Sequence, residues 1–435
     1  MTPLAASFLL ACTSIEPSAS VDPFSVFPYV VAPDLDRPAH VDARVETETW
    51  TPGVDVEMTG LYVRKALEHY PGAPDAVLEH FEAHIPTLPP LDLASPVHLD
   101  FAGDLLPVGG GGTDRSALAI RTAGLFAGDL SIANLESPTA PGFDTPGLYD
   151  LNTDPSALDS LPFDMLQLNN NHTLDAGPGG LAATVREVKA RGMTPLGIDH
   201  HRIVDVNGVA VAVLTYTWGL NVDPDQVARE DALAVDLFVV PFGHEGTIDT
   251  TRIGDDVARV RGLGAELVVL LVHWGYEYEY YPDPHFLVLG RQLVQEGADL
   301  VVGHGPHVAQ PAEICAVDQP GTEPALGVCV VRTQEGRPRT AAVLYSLGNF
   351  ASSMMTSMPT RSGLVASVSL DPTHGVTGLG WQPVVTLEKE QTSAPHDEVV
   401  PLDDPGTDDA ELLEALRVES ERLDAHLGTG WRTPR

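Results

Sequence analysis

Apolar segments of strand length alternate with segments of helical periodicity between Ser95 and Asn349, and this alternation limits the possible folds more than any other feature. The strand candidates, in chain order, are VHLDFAG, DLSIANLE, DMLQL, VAVAVLTYTW, LAVDLFVV, ELVVLLVHWG, DLVVGHG and AAVLYSLGNF. Most are near-continuous runs of Val, Ile and Leu, which is typical of strands covered on both faces. The alternation therefore predicts an α/β fold in which helices pack against a sheet.

Two segments between these strands have the periodicity of amphipathic helices. In GPGGLAATVREVKARG, the side chains of Leu181, Val185 and Val188 fall on one helical face. DPHFLVLGRQLVQEG has a similar apolar stripe. Further along, residues 363–387 have a strand–turn–strand pattern, and DDAELLEALRVESERLDAHL predicts an amphipathic helix near the C-terminus.

The composition divides the chain into four predicted segments. Residues 1–12 resemble a lipoprotein signal, in which LLAC ends at a lipidated Cys12. Residues 13–94 form an acidic, Pro-rich tether and N-terminal extension with two helix-like patches, GLYVRKALEHY and PDAVLEHFEAH. Residues 95–390 form the main domain, and residues 391–435 form an acidic linker and the C-terminal helix.

The predicted signal implies an extracytoplasmic lipoprotein, in the periplasm or at the cell surface, that is held at the membrane by its lipid anchor only. The alternative is an ordinary frayed N-terminus, since no positively charged region precedes the short apolar run. No other segment approaches the roughly 20 apolar residues that a spanning helix needs. Cys315 and Cys329 either pair in an oxidising compartment or are two independent core residues.

The net charge limits the possible partners. The chain has 24 Lys and Arg residues against 61 Asp and Glu residues, which amounts to a formal charge of −37. Such a surface repels nucleic acid and anionic lipid, so binding of either by a broad basic face is excluded. Acidic surfaces chiefly keep proteins soluble, but an anionic substrate would need local positive charge, which bound metal ions can supply.

Polar side chains capable of binding metals lie at the ends of six predicted strands. They are Asp104, Asn134, Glu136, Asn171, His172, His273, His304, His307 and Asn349. Ligands of open α/β sheets bind at the carboxyl ends of the strands, so we expect these side chains to converge. Singly, each suits a turn, a helix cap or a structural histidine. Together, their nitrogen and oxygen ligands predict one or two divalent ions, with Mn, Fe or Zn favoured over Mg or Ca.

Six motifs follow one another in an order that is similar to a known family. They are GDLLP, ANLESP, NNNHTLDAG, LVHWGYEY, GADLVVGHGPHV and YSLGNF, and YTWGLN lies among them. From roughly Ser95 to Leu387 the chain resembles the CapA-type poly-γ-glutamate capsule synthesis family, a branch of the calcineurin-like metallophosphoesterases. The resemblance implies a metallophosphoesterase β-sandwich flanked by helices, with four layers in the order α/β/β/α.

The resemblance also implies roles for the site residues. The implied metal ligands are Asp104, Glu136, Asn171, His273, His304 and His307. Glu136 would bridge two ions, and His172 would face the substrate. Two leucines follow Asp104 where the wider superfamily has Asp-x-His, and two residues rather than one separate the closing histidines. These departures leave open whether one or two metals bind, and whether both closing histidines are ligands.

In the implied mechanism, ions about 4 Å apart polarise a phosphoryl oxygen and lower the pKa of a bridging water. His172 stabilises the transition state or protonates the leaving oxygen, because imidazole titrates near neutral pH. Asp175 either orients that imidazole or caps a helix. Asn134, Tyr276 and Asn349 are the predicted substrate contacts. The aromatic run WGYEYEYYP forms either a rim around the substrate or a packed loop.

Three functions stay open on the sequence alone. The first is a metal-dependent hydrolase of the phosphoesterase type, which acts outside the cytoplasm on a phosphoester of the envelope or capsule. The second is the handling of an anionic γ-glutamyl polymer, by cutting, transferring or anchoring its chains beside the capsule export machinery. The third is a non-catalytic, metal-stabilised scaffold of a polymer export complex.

Overall fold

The computed structural model describes residues 73–83, 88, 97–106, 118–144, 151–198, 201–221, 249–354, 357–389 and 396–427. Several sequence predictions lie outside these ranges, among them the signal ending at Cys12, the patch GLYVRKALEHY and the strand LAVDLFVV. The division of the chain into four segments stays a prediction.

Five α-helices occur in the described ranges: α1 Asp75–Ala83, α2 Gly177–Ala190, α3 Thr251–Gly262, α4 Pro284–Gln295 and α5 Ala410–Leu427. Two short 3₁₀ helices cover Ala123–Leu125 and Pro155–Leu158. The three predicted helices are confirmed as α2, α4 and α5, and α1 lies within the patch PDAVLEHFEAH. None of these helices has the length and apolar character needed to cross a bilayer.

Local sequence explains where α2 and α4 begin and where α2 ends. Pro178 and Pro284 occupy the first turn of these helices, where proline costs no backbone hydrogen bond. Asp283 caps α4 by accepting a hydrogen bond from the backbone N–H of His285 at 3.0 Å. Gly192 follows α2 with φ at +82°, a left-handed conformation that favours glycine.

The strands in the described ranges form one hydrogen-bonded sheet of 16 strands. They are β1 Val97–Leu106, β2 Leu118–Ile120, β3 Leu130–Leu135, β4 Met165–Gln167, β5 Thr194–Leu196, β6 Arg202–Val206, β7 Val209–Thr217, β8 Leu267–His273, β9 Leu300–His304, β10 Ala309–Val317, β11 Cys329–Val331, β12 Arg339–Leu347, β13 Asn349–Ser352, β14 Ser362–Asp371, β15 Gly375–Lys389 and β16 His396–Pro401.

The main path through the sheet runs β5-β4-β3-β1-β14-β15-β12-β9-β8-β7-β6. Strands β1, β3, β4 and β5 are parallel to one another, and so are β7, β8, β9 and β12. The antiparallel pair β14 and β15 lies between these two parallel groups. The protein therefore has a mixed α/β fold with one large sheet and few helices, and the predicted α/β class is confirmed.

Strand β8 shows how the predicted apolar runs are buried. Leu267, Val269 and Leu271 belong to one core cluster, whereas Val268 and Leu270 belong to a second cluster that includes residues of α3 and α4. All five side chains have 0% solvent exposure. Because both faces of this strand are covered, its sequence needs no alternation of polar and apolar residues.

The register of the parallel strands brings their polar ends together. His273 at the end of β8 is adjacent to His304 at the end of β9. In the other parallel group, Asp104 of β1 is adjacent to Asn134 of β3, and on its other side to Asn349 of β13. Polar residues that are far apart in the sequence thus lie side by side near strand ends in each of the two parallel groups.

The segment AAVLYSLGNF differs from the prediction, because it forms two strands rather than one. Gly348 separates β12 from β13 and has φ at +65°. This left-handed conformation breaks the strand and is one that glycine adopts at little cost. Asn349 therefore begins β13 and does not end β12.

Helix α1 packs on the main sheet, although it lies in the stretch predicted as an N-terminal extension. Val77 of α1 belongs to the core cluster that includes α4. His80 is fully buried, and its Nε2 lies 2.5 Å from Glu313 Oε1 of β10. At least this part of the extension is thus attached to the domain by buried contacts.

Cys315 of β10 and Cys329 of β11 form a disulfide. Replacing both with alanine is expected to lower the free energy of unfolding by about 3 kcal/mol, because the bond limits the freedom of the unfolded chain. Urea unfolding should show this loss, and a reductant should destabilise the wild type while leaving the variant unchanged. Equal urea midpoints of the wild type and the variant under oxidising conditions would contradict the prediction.

Candidate metal centre

Asp104 lies near the end of β1, is fully buried and contacts both closing histidines. Its Oδ1 accepts a hydrogen bond from Asn134 Nδ2 at 2.9 Å and lies 3.1 Å from His304 Nδ1. Its Oδ2 accepts a hydrogen bond from the backbone N–H of Gly305 at 3.2 Å and lies 3.7 Å from His307 Nδ1. These contacts hold the carboxylate in one orientation.

Two glycines permit this close approach of separate chain segments. A Cβ atom on Gly103 would lie 1.9 Å from the carbonyl oxygen of Gly348, so a side chain there would push β1 away from β13. Gly305 has φ at +111°, and a Cβ atom on it would lie 2.7 Å from the carbonyl oxygen of Trp274. Larger residues at these positions would separate Asp104 from its neighbours.

Glu136 follows β3 and lies fully buried beside two imidazoles. Its Oε1 is 3.6 Å from His273 Nε2 and 3.7 Å from His307 Nε2. One ligand atom from each of Asp104, Glu136 and His273 lies within 4.8 Å of the other two. The predicted convergence of these distant residues is therefore present in the structure.

The protonation states at this site are those that bind metals. Burial opposes the ionisation of Asp104, but the imidazoles of His304, His307 and His273 outweigh burial and hold its pKa well below the usual range. Burial lowers the pKa of His273 to about 3, although the Asp104 carboxylate opposes that shift. At neutral pH the carboxylate is thus charged and the His273 imidazole is neutral, as ligands of a metal must be.

The segment NNNHTLDAG forms the loop between β4 and α2. His172 Nδ1 lies 2.6 Å from Asp175 Oδ2 and 3.2 Å from Asn221 Nδ2. Asp175 Oδ2 also accepts a hydrogen bond from the backbone N–H of Leu151, whereas the N-cap of α2 is Ala176. Asp175 therefore contacts the imidazole rather than capping the helix. The catalytic role of His172 and Asp175 stays a prediction.

Asn134 and Asn349 are fully buried and support residues of the cluster. Asn134 holds Asp104 through the hydrogen bond described above, and Asn349 Oδ1 lies 3.1 Å from His307 Nδ1. Each amide thus orients one member of the cluster. Their predicted role as substrate contacts is untested.

The first part of the aromatic run after β8, from Trp274 to Tyr278, forms a packed loop. Trp274, Tyr276 and Tyr278 are between 1% and 3% exposed. The ring of Tyr276 packs edge-on against Trp218 and Phe286, with centroid distances of 5.7 and 5.6 Å. Of the two alternatives, the packed loop fits these rings, and the predicted substrate contact of Tyr276 stays without support.

Three residues of the site were not predicted from the sequence: Asn170, Asn221 and Glu277, whose Oε1 lies 3.8 Å from His307 Nε2. Asn170 Nδ2 donates hydrogen bonds to Asn134 Oδ1 at 3.0 Å and to the carbonyl oxygen of Leu135 at 2.9 Å. Its Oδ1 accepts a hydrogen bond from the backbone N–H of His172 at 3.1 Å, so it joins the loop to the cluster. All three residues lie within the quoted motifs NNNHTLDAG, YTWGLN and LVHWGYEY, a signal that could have identified them.

The residues present fit a divalent cation. Asn171 is buried, and its Oδ1 has no hydrogen-bond partner among the described residues. A buried polar oxygen of this kind calls for a partner such as a metal ion. The charged Asp104 carboxylate and the neutral His273 imidazole are also groups of the kind that bind metals. Asn171 would contribute its amide oxygen, Asp104 and Glu136 their carboxylates, and the histidines their ring nitrogens.

A model of the family described as bacterial capsule synthesis protein PGA_cap matches residues 114–354, more than half of the 435 residues of the chain. The chain belongs to this family. The CapA-type resemblance is therefore confirmed. The matched stretch includes Glu136, the NNNHTLDAG loop and all three histidines of the cluster, and it begins after Asp104.

Individual relatives are similar to part of the chain. The capsule biosynthesis protein CapA of Bacillus anthracis is 28% identical over 209 residues, which cover 43% of this chain and 40% of that protein. The PGA biosynthesis protein CapA of Bacillus subtilis is 29% identical over 165 residues, which cover 36% of this chain and 40% of that protein. A probable polyglutamine synthesis accessory protein of Mycobacterium tuberculosis is 28% identical over 211 residues, which cover 43% of this chain and 52% of that protein. The chain thus spans about half or less of the length of these relatives.

Proposed function

We propose that the protein is an extracytoplasmic, metal-dependent hydrolase of the metallophosphoesterase type that takes part in the synthesis, anchoring or export of a capsule or polyglutamate polymer. The observation that carries this proposal is the buried cluster of Asp104, Glu136, His273, His304 and His307 in a member of the capsule synthesis family. The metallophosphoesterase arrangement, with four layers in the order α/β/β/α, is part of the proposal.

A divalent cation bound at this cluster would act as a Lewis acid toward a phosphoryl or carbonyl oxygen and would activate a water molecule. Asp104 and Glu136 supply the negative charge that holds such a cation. Mn, Fe or Zn, as one or two ions, suits the mixture of carboxylate, imidazole and amide ligands. The cation would also attract an anionic substrate to a chain whose formal charge is −37.

His172 is the proposed proton donor. The 2.6 Å contact between its Nδ1 and the Asp175 carboxylate supports this role, because Nδ1 can donate its proton to that carboxylate. The Nε2 atom then exchanges protons with the leaving oxygen of the substrate. Asp175 keeps the ring in the orientation this transfer needs, and its hydrogen bond from the Leu151 N–H keeps Asp175 in place.

The proposed substrate is an anionic polymer of the envelope or a phosphoester, since the names of the relatives refer to capsule, PGA and polyglutamine synthesis. Capsule export machinery is the proposed partner, and nucleic acid is not expected to bind. The protein is proposed to act outside the cytoplasm as a lipoprotein anchored through Cys12. The Cys315–Cys329 disulfide supports an oxidising compartment.

Removal and replacement of the metal test the hydrolase. We expect a chelator to lower hydrolysis of an aryl phosphate ester by the full chain more than about a hundredfold, because a metal ion supplies several kcal/mol of transition-state stabilisation. Mn²⁺, Fe²⁺ or Zn²⁺ should then restore the activity. A calcium-loaded sample is the control, since Ca²⁺ prefers larger, all-oxygen sites.

Poly-γ-glutamate incubated with the same samples gives the second readout, and its chain length is measured by gel filtration. Shortening of the polymer without ester hydrolysis would identify a polymer-cleaving enzyme in place of a phosphoesterase. Tight metal binding without turnover of either substrate would contradict the hydrolase and favour the scaffold of an export complex.

A further inference from the structure

The segment that follows strand β7 crosses from one hydrophobic core to another. Strand β7 ends at Thr217, and residues 218–221 come next. Trp218 belongs to the core cluster that includes residues of α3 and α4, whereas Leu220 belongs to the cluster that includes residues of α2. Trp218 and Leu220 are 1% and 6% exposed. Burial of both side chains therefore fixes the path of the backbone up to Asn221.

Backbone hydrogen bonds attach this segment to two parts of the candidate metal centre. The N–H of Trp218 donates to the carbonyl oxygen of His273 at 3.0 Å, and the N–H of Asn221 donates to the carbonyl oxygen of Asn171 at 3.0 Å. His273 ends β8, and Asn171 lies in the loop after β4. The segment thus joins the strand ends of one parallel group to those of the other.

The side-chain amide of Asn221 contacts two consecutive residues of that loop. Its Oδ1 accepts a hydrogen bond of 3.4 Å from Asn171 Nδ2, and its Nδ2 lies 3.2 Å from His172 Nδ1. Asn171 is the candidate metal ligand of the loop, and His172 is its candidate proton donor. One side chain, which the chain delivers from β7, therefore contacts both.

The contact with Asn171 bears on which end of the Asn171 amide a cation can reach. A side-chain amide has a donor end and an acceptor end. Asn171 Nδ2 donates to Asn221, and Asn171 Oδ1 is buried without a hydrogen-bond partner among the described residues. A half-turn of the Asn171 amide would bring its oxygen against Asn221 Oδ1, where neither atom can donate. In this arrangement Asn221 keeps the oxygen of Asn171 available to a cation.

The contact with His172 restricts the rotation of its imidazole. Asp175 Oδ2 lies 2.6 Å from His172 Nδ1, and Asn221 Nδ2 lies 3.2 Å from the same nitrogen. Asp175 belongs to the same loop as His172, but Asn221 comes from another part of the fold. Two groups with separate anchors thus hold one edge of the ring.

We propose that Asn221 is a positioning residue that orients both the Asn171 amide and the His172 imidazole. This inference rests on the proposed function insofar as it requires a cation that Asn171 helps to bind. It assigns a role to the last residue of the motif YTWGLN. Loss of a residue that holds a metal ligand in place commonly costs about 10- to 100-fold in metal affinity or activity.

Calorimetric titration of the full chain with Mn²⁺ tests the contact with Asn171 without reference to activity. We expect Asn221→Ala to bind Mn²⁺ about 10- to 100-fold more weakly than the wild type. Asn221→Asp should bind it at least as tightly as the wild type, because a carboxylate oxygen still accepts the hydrogen bond from Asn171 Nδ2.

Asn169→Ala is the matched control. Asn169 lies in the same run of asparagines, and its Nδ2 donates to the carbonyl oxygen of Thr215 in β7 at 3.2 Å. It therefore also joins the loop to β7, but no hydrogen bond links its side chain to Asn171 or His172 among the described residues. Its replacement should leave the affinity for Mn²⁺ unchanged.

Hydrolysis of the aryl phosphate ester tests the contact with His172. At saturating Mn²⁺, Asn221→Ala should lower kcat by about 10- to 100-fold and change KM little, because His172 acts in the transition state. Asn169→Ala should keep the kcat of the wild type. An unchanged kcat of Asn221→Ala would overturn the assignment to His172.

The remaining outcomes separate this inference from the proposed function. If circular dichroism shows that Asn221→Ala folds poorly, Asn221→Leu, which keeps a side chain of similar length, replaces it. Equal Mn²⁺ affinities of the wild type and the Asn221 variants, or an equal loss in Asn169→Ala, would overturn the inference. A weaker affinity that Asn221→Asp restores, with no turnover of ester or polymer by any of the proteins, would support the inference and refute the hydrolase.

Discussion

Asp104→Asn is expected to abolish cation binding at the cluster and to lower turnover by well over a hundredfold. Loss of a residue that merely orients a ligand costs about 10- to 100-fold in affinity or activity, so loss of the ligand itself should cost more. The substitution keeps the shape of the side chain but removes its negative charge, which three imidazoles surround. Calorimetry with Mn²⁺ and the aryl phosphate assay measure the two losses.

Asp100→Asn is the matched control for this prediction. Asp100 lies on the same strand, is 3% exposed and accepts hydrogen bonds from the Gly128 N–H and from Ser367 Oγ. Its replacement should lower the stability of the protein by about 1–3 kcal/mol but leave cation binding unchanged. If Asp104→Asn binds cations as tightly as Asp100→Asn does, the cluster is not a metal site.

Arg291→Met is expected to lower the free energy of unfolding by about 3–5 kcal/mol, because it leaves the buried Glu313 carboxylate without its guanidinium partner. Arg291 Nη2 and Nε lie 2.6 and 3.2 Å from the two oxygens of Glu313. Glu313 also accepts a hydrogen bond from the Tyr345 hydroxyl at 2.7 Å and contacts His80 of α1. Denaturant unfolding of the two proteins measures the difference.

The destabilisation should depend on pH. Burial favours the protonated form of Glu313, but Arg291 and His80 outweigh it and hold the pKa below its usual range. A lowered pKa contributes stability above the unfolded value, about 4.3, and this contribution is lost as the pH falls. Without Arg291, burial raises the pKa of Glu313 in the folded variant. Ionisation of Glu313 then lowers the free energy of unfolding of the variant at pH values above about 4.3. The difference in the free energy of unfolding between the wild type and Arg291→Met should therefore become smaller as the pH falls from 7 toward about 4.

The double variant Arg291→Met/Glu313→Gln tests whether the unpaired Glu313 carboxylate causes the loss of stability. It leaves no uncompensated charge, so it should be more stable than Arg291→Met alone and should lose the pH dependence. If the double variant is less stable than Arg291→Met at pH 7, the carboxylate was not the cause of the loss.

The long apolar strands could be predicted from the sequence, and a strand with buried charge could not. Strand β8 is a run of Val and Leu that is covered on both faces, and its short length and its valines favour a strand over a buried helix. Strand β10, AQPAEICAV, includes Glu313 and does not have that pattern. Its glutamate is stabilised in the core by Arg291, which lies 22 positions earlier and reaches it from α4, and by contacts with Tyr345 and His80. A partner of this kind is visible only after folding.

The candidate site also has features that the sequence predicted and features that only the structure showed. The residue types at strand ends, together with the ordered motifs, were enough to predict Asp104, Glu136 and the histidines, because parallel strands align their carboxyl ends. The sequence left two local interpretations of Asp175 open, and the structure shows a 2.6 Å contact with His172 and a different N-cap residue, Ala176. Likewise, only the folded core showed that Tyr276 packs against other rings.

The sequence by itself determined the α/β class, the family and the chemical types of the candidate site residues, since these depend on periodicity, motif order and residue identity. Only the tertiary structure decided which of these side chains face one another. In the sequence, Glu277 is one more acidic residue in a tyrosine-rich loop, but in the structure its Oε1 lies 3.8 Å from His307 Nε2. That contact joins two loops that a backbone hydrogen bond from Tyr278 to Pro306 holds together, so the local sequence pattern of neither loop could predict it.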